Sequence, residues 1–139
     1  MRIQKSHVVM LSAHTDMLTE QENTMRHHKL KARLESIFPR KVFYAIGVYK
    51  GKKEASLGVI IDDETSVEIL ETQANYFQQE SILYLDNEGK GTLVTLRDPE
   101  TSTYKSLGEY VVSDKEPMKA DYTYIPSTET YFYFNRLGK

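Results

Sequence analysis

Residues 6–13, SHVVMLSA, carry four consecutive apolar side chains from Val8 to Leu11. A continuous run of that kind, without alternation, predicts a short strand in an interior position. The period then changes. Thr19 and Glu22 have the spacing of a capping box, in which each side chain bonds the other residue's backbone N–H. Leu30, Leu34 and Ile37 follow at helical spacing, and Pro39 ends the run. Extending that stripe toward the N-terminus reaches His27 and Asn23. Two polar residues therefore continue the face that packs on the sheet, near the edge where the first strand ends at Ser12 and Ala13.

Residues 41–49, KVFYAIGVY, and 54–61, EASLGVII, read as strands joined by a turn at Lys50-Gly51-Lys52-Lys53. Asp62 and Asp63 offer an N-cap for a second helix, with Val67, Leu70, Ala74 and Phe77 as its buried stripe. Residues 80–85, ESILYL, and 91–96, GTLVTL, form another strand pair across Asp86-Asn87-Glu88-Gly89. Beyond residue 100, SLGEYVV, DYTYI and TYFYF predict further strands, with Pro126-Ser127 in the last turn. The order βαββαβ is the split pattern of ferredoxin-like folds. The expected fold is thus α+β: a mostly antiparallel sheet with two helices on one face, a ferredoxin-like βαββαβ core plus a C-terminal strand extension. No repeat, low-complexity stretch or linker interrupts the chain, so residues 1–139 read as one domain.

Composition narrows the function. At 139 residues the chain buries enough surface to need no metal or disulfide staple. It has no cysteine, which excludes a disulfide framework, a thiolate nucleophile and a Cys-based zinc site, and fits a reducing compartment. A net charge of −2 argues against non-specific nucleic-acid binding. No apolar run reaches the length of a membrane span, and Met-Arg-Ile-Gln-Lys-Ser is followed by no secretory core, so the expected location is the cytoplasm. Ten tyrosines and no tryptophan give many rings with one apolar and one wet edge.

No phosphate-binding glycine loop, GxSxG elbow or HExxH motif is present. His27 and His28 are adjacent, so on a helix they point about 100° apart and do not share a metal easily. His7 and His14 flank the first strand and read as surface or strand-end histidines. Three polar groups remain: Asn23, Arg26 and His27 on one side of the first helix; Glu54, opening a strand after a basic turn; and Gln79-Glu80, between the second helix and its following strand. Each has a plain alternative. Arg26 could pair with a nearby acid, Glu54 with Lys52 or Lys53, and Gln79-Glu80 could be an ordinary helix end.

The segment VMLSAHTDMLTEQENTMRHHKL joins a strand ending in Ser12-Ala13 to a helix bearing Asn23, Arg26 and His27. Gly47-Val48-Tyr49 ends a strand ahead of the Glu54 strand, and FQQESILYL sets Gln79 and Glu80 before an apolar one. Together, across residues 7–94, these resemble the small phage enzymes that destroy S-adenosylmethionine, the SAM hydrolases or SAM lyases. Where the best-known members have a longer insertion and an acidic residue ahead of the glutamate, this chain has a short turn and Lys53.

The resemblance implies cleavage of S-adenosylmethionine to methylthioadenosine and L-homoserine lactone, with no cofactor and no metal. It implies Glu54 and Glu80 as catalytic residues, with Ser12, Asn23, Arg26, His27, Tyr49 and Gln79 binding substrate. It further implies a homo-oligomer, a trimer with sites between subunits, and a role against methyl-dependent restriction in an infected cell. The alternatives are a phage anti-restriction or host-takeover protein that binds a partner without chemistry, and a bacterial protein sharing only the fold.

Overall fold

A computed structural model describes residues 6–63, 66–96, 103–119 and 121–134. In chain order the elements are β1 (His7–Leu11), α1 (Glu20–Ile37), β2 (Val42–Tyr49), β3 (Lys52–Ile61), α2 (Val67–Tyr76), β4 (Ser81–Leu85), β5 (Lys90–Thr95), β6 (Thr103–Ser113), β7 (Asp121–Ile125) and β8 (Thr130–Phe134). The strands close into an antiparallel barrel in the order β1-β3-β2-β7-β8-β6-β5-β4, with β4 returning to β1.

The expected open, ferredoxin-like βαββαβ sheet is therefore not what forms. The C-terminal strands are not an extension: β7 pairs with β2, and β6 with β5, so they close both edges. Closure has a physical reason in the hydrophobic pattern. Val9, Leu11, Leu57, Val59 and Ile82 pack outward against Leu30 and Leu34 of α1 and Leu70 and Ala74 of α2. Their neighbours Val8, Met10, Ala45 and Leu85 point to the other face, where they cluster with Tyr110, Ile125 and Phe132 of β6, β7 and β8. An open sheet would leave that second apolar face in water and two edges unpaired; closure removes both.

Local signals decide where elements begin and end. Thr19 Oγ1 accepts from the Glu22 N–H at 3.1 Å, while the Glu22 carboxylate accepts from the Thr19 N–H at 2.9 Å, so the capping box forms as expected. Leu30 and Leu34 are buried, but Ile37 is 41% exposed because the helix ends there. The second helix starts at Val67 with Ser66 as its N-cap, not at Asp62 or Asp63, and Val67, Leu70, Ala74 and Phe77 are buried as its stripe requires.

The β2–β3 turn is shorter than expected. Lys50 and Gly51 both have positive φ, 52° and 82°, the geometry of a two-residue hairpin turn. That turn sets the register that puts Gly47 opposite Glu54.

A second glycine, Gly58, makes room for an aromatic ring. A Cβ on Gly58 would lie 2.1 Å from Cζ of Phe43, so the phenylalanine ring occupies the space a side chain would take. Gly58→Ala is expected to destabilise the protein by about 1–3 kcal/mol through overpacking, read from the midpoint of urea unfolding. Phe43→Leu in the same background should recover part of the loss. An unchanged midpoint in Gly58→Ala would show that the ring moves aside freely.

Candidate active site

Antiparallel closure brings the C-terminal ends of β1, β2 and β8 and the N-terminal ends of β3, β4 and β7 to one mouth of the barrel. The β1–α1 loop and the turn between α2 and β4 lie there too. At this mouth is a cavity of about 900 Å³. Met10, Leu83, Leu93, Phe132 and Phe134 form apolar walls, and Ser12, His14, Asp16, Tyr49, Glu54, Gln79, Glu80, Asp121 and Thr123 supply polar groups. A concave, half-apolar chamber with a few convergent polar groups, set in a barrel mouth, is the form of a small-molecule site.

Glu54 is the most informative of these groups. Burial raises its carboxyl pKa, and Asp16 adds to the rise. The Ser12 hydroxyl, His14 and Lys52 act in the opposite direction and offset part of the shift. The Ser12 hydroxyl donates to the Ala55 carbonyl at 2.7 Å and accepts from the His14 N–H at 3.0 Å, so its proton is not exclusively Glu54's. The expected alternative, an ion pair of Glu54 with Lys52 or Lys53, does not form. Lys52 instead pairs with Asp16 at 3.5 Å, and Asp16 with His14 at 3.1 Å.

Tyr49 reaches the same spot because of what stands beneath it. A Cβ on Gly47 would lie 2.8 Å from the ring carbon Cε2 of Tyr49, so the ring folds over the bare backbone of Gly47. Gly47 faces Glu54 on β3 and Thr123 on β7. Half of the Tyr49 surface stays open, while its hydroxyl is close enough to Glu54, Asp121 and Thr123 to feel all three. Burial, then the Glu54 charge, push its pKa above the ordinary value, while a hydrogen bond with Thr123 pulls it back.

Gln79 extends from the turn after α2. Its Nε2 donates to the His14 carbonyl at 3.0 Å. Glu80, beside it, is exposed at the rim. Ser12, Tyr49, Glu54, Gln79 and Glu80 thus meet around one cavity.

The other three expected residues do not line that cavity. Asn23 is buried, donates from Nδ2 to the Thr15 carbonyl at 2.9 Å and accepts at Oδ1 from the Thr15 N–H at 3.0 Å. Arg26 pairs with no acid among the described residues; its Nε donates to the Ala13 carbonyl at 2.8 Å and its Nη2 to the Phe77 carbonyl. His27 packs edge-on to Tyr44 of β2 with ring centroids 5.7 Å apart. Its Nδ1 is buried without a hydrogen-bond partner, and burial, then His28 and Lys31, lower its pKa.

Sequence reasoning missed His14, Asp16, Asp121 and Thr123. Asp121 and Thr123 sit in β7, outside the segment that carried the resemblance, and no motif marks them. His14 had one available signal: it follows Ser12-Ala13 directly, in the loop that caps the barrel mouth. Among the described residues no group of three or more His, Asp or Glu side chains is placed to hold a metal ion, and no helix is long and apolar enough to cross a membrane.

An eight-stranded barrel with a ligand-sized chamber at its mouth is a small-molecule-binding architecture, and comparison with known families identifies which one. Residues 9–135 match the model of the S-Adenosylmethionine lyase family, and the chain belongs to that family. It is a lyase whose substrate is S-adenosylmethionine. No curated protein matches the chain.

Proposed function

We propose that the barrel mouth is the reaction site and that the enzyme cleaves S-adenosylmethionine by making the substrate attack itself. The substrate's own carboxylate oxygen bonds to its γ-carbon as the Cγ–S bond breaks. The bonding pair goes to sulfur, giving neutral methylthioadenosine and L-homoserine lactone. No proton leaves at the bond-making step, so neither a general base nor an enzymic nucleophile is needed. Holding the methionyl chain curled supplies the acceleration, because well-oriented intramolecular reactions reach effective molarities of about 10⁵ M or more.

The observation that carries this reading is Glu54: a carboxylate half-buried in the mouth, beside Tyr49, and engaged in none of the ion pairs that surround it. A buried anion of that kind favours a cationic ligand. The sulfonium loses its charge in the transition state, so a carboxylate against sulfur would favour substrate over transition state. Glu54 and Glu80 are therefore assigned to the α-ammonium group, which stays charged throughout. The ring face of Tyr49 flanks the sulfonium or adenine. Ser12 holds Glu54 in place, and Gln79 bonds the adenosine.

Removal of S-adenosylmethionine in the cytoplasm of an infected cell would deprive methyl-dependent restriction of its cofactor. The assembly that fits this role is a trimer with its sites between subunits. The ring of Tyr131 meets Tyr122 edge-on at 5.8 Å and Tyr124 at a tilt at 4.6 Å, and this cluster supplies an aromatic surface suited to such a contact. The deciding experiment incubates purified protein with S-adenosylmethionine and follows products by mass spectrometry. Methylthioadenosine and homoserine lactone in equal amounts are expected. Homoserine formed from the outset with oxygen from solvent water at its γ-carbon would mean that water, not the carboxylate, attacks.

A further inference from the structure

We propose that Arg26 is a positioning residue that locks together the two loops lining the cavity, and that it works without touching substrate. The inference rests on the barrel mouth being the site of S-adenosylmethionine.

The geometry is a junction. One guanidinium donates to the carbonyl of Ala13, in the β1–α1 loop, and to that of Phe77, at the end of α2. The same guanidinium lies over the Phe77 ring, 5.5 Å from its centroid. Gln79 completes the crossing from the other side, donating from Nε2 to the His14 carbonyl at 3.0 Å and reaching the Phe77 carbonyl at 3.5 Å. Ser12, His14, Thr15 and Asp16 hang from the first loop, and Gln78, Gln79 and Glu80 from the second. The polar groups of those two walls are therefore placed relative to one another through two ties, Arg26 from α1 and Gln79 from the second loop itself.

The second loop needs such a hold. The last carbonyls of a helix have no partner within it. Here the backbone N–H groups of Phe77, Gln78 and Gln79 meet the carbonyls of Gln73, Ala74 and Asn75, the chain turns at Gln78 with φ 60° in the left-handed region, and the Phe77 carbonyl is met by side chains. Arg26 comes from α1 to bind the Phe77 carbonyl. A guanidinium suits this role because its planar fork offers several donors in fixed directions, whereas a lysine ammonium acts as a point. Asn23, one turn earlier on α1, fixes Thr15 through both its N–H and carbonyl. One face of α1 thus carries the registration of the first loop, and Arg26 alone of that face carries it across to the second.

The test is Arg26→Lys, which keeps the charge and loses the fork, with Gln79→Ala and the double variant. Three results are expected. The rate of S-adenosylmethionine consumption, as kcat/KM, falls at least about tenfold in Arg26→Lys at temperatures well below its unfolding midpoint, since misplacement by about 1 Å can cost up to a hundredfold. Amide hydrogen exchange quickens together at residues 13–16 and 77–80, while β1, β3 and β4 stay protected. In the double variant, exchange in the two loops quickens little more than in the worse single variant, because both side chains hold one junction.

Exchange unchanged in either loop overturns the proposal, and so do additive increases of exchange across the cycle. Full activity in Arg26→Lys also overturns it. Should Arg26→Lys fail to fold, Gln79→Ala must still quicken exchange at residues 13–16, and a flat profile there sinks the junction. Products other than methylthioadenosine and lactone would refute the cyclisation chemistry while leaving the exchange and coupling results to stand or fall separately.

Discussion

Glu54→Gln is expected to lower kcat/KM for S-adenosylmethionine about a hundredfold or more, since losing one partner of a buried charge contact costs about 2–5 kcal/mol. The variant should meanwhile be as stable as the parent or more so. Burial raises the carboxyl pKa in the folded protein above that in the unfolded chain. The folded state thus binds this proton more tightly, and any stability from the group is present at low pH and lost as pH rises through the folded value. At pH 7 the ionised carboxylate is a burden on the fold. Glutamine imitates the uncharged form, so the melting temperature should hold or rise at neutral pH, and the difference should shrink as pH falls.

Activity carries the opposite sign. Gripping an ammonium needs the carboxylate, so kcat/KM in the parent should drop on the acid side with an apparent pKa above the ordinary glutamate value of 4.5. That limb should vanish from the residual activity of the variant. Steady-state kinetics across pH, beside thermal melts, measures both. A variant that loses stability and activity together would mark Glu54 as a structural residue instead.

Gly47→Ala tests the other half of the mouth. The new methyl group would stand 2.8 Å from the ring of Tyr49, 3.2 Å from its Cζ and 3.2 Å from its hydroxyl, so the ring must swing off its backbone seat. The contact is with the far end of a side chain whose surface is half open, so the fold has room to yield. The expected result is a fall in kcat of about 10- to 100-fold, the cost of misplacing a group near the reacting atoms, with little change in melting temperature. Tyr49→Phe separates the ring from its hydroxyl. It keeps most activity if the ring face meets the substrate, and loses as much as Gly47→Ala if the hydroxyl matters through Thr123 and Glu54. Full activity in Gly47→Ala would remove Tyr49 from the site.

How much of the site could be read in advance depended on distance along the chain. Ser12, Tyr49, Glu54, Gln79 and Glu80 carry a recognisable order, and all five meet at the barrel mouth. Asn23, Arg26 and His27 belong to the same pattern, yet they bind loop backbone or pack on Tyr44 instead of facing the cavity. A pattern of residues records that a side chain is needed, not whether it faces a ligand or a neighbouring carbonyl. His14 looked like a strand-end histidine, and only the crossing of Gln79 to its carbonyl shows how tightly its loop is tied to the second one.

What the amino-acid order determined by itself is local: the capping box at Thr19 and Glu22, the buried stripe of each helix and the apolar segments that become strands. These depend on neighbours a few residues apart, where backbone geometry leaves little choice. Barrel closure was decided only in three dimensions. Period-two alternation says that a strand has two faces, but not whether its edge pairs with water or with a strand far along the chain. The second apolar face of β1 to β4 needed a cover, and β6, β7 and β8 supplied it. Closing the sheet on that cover is also what turned a row of strand ends into a chamber.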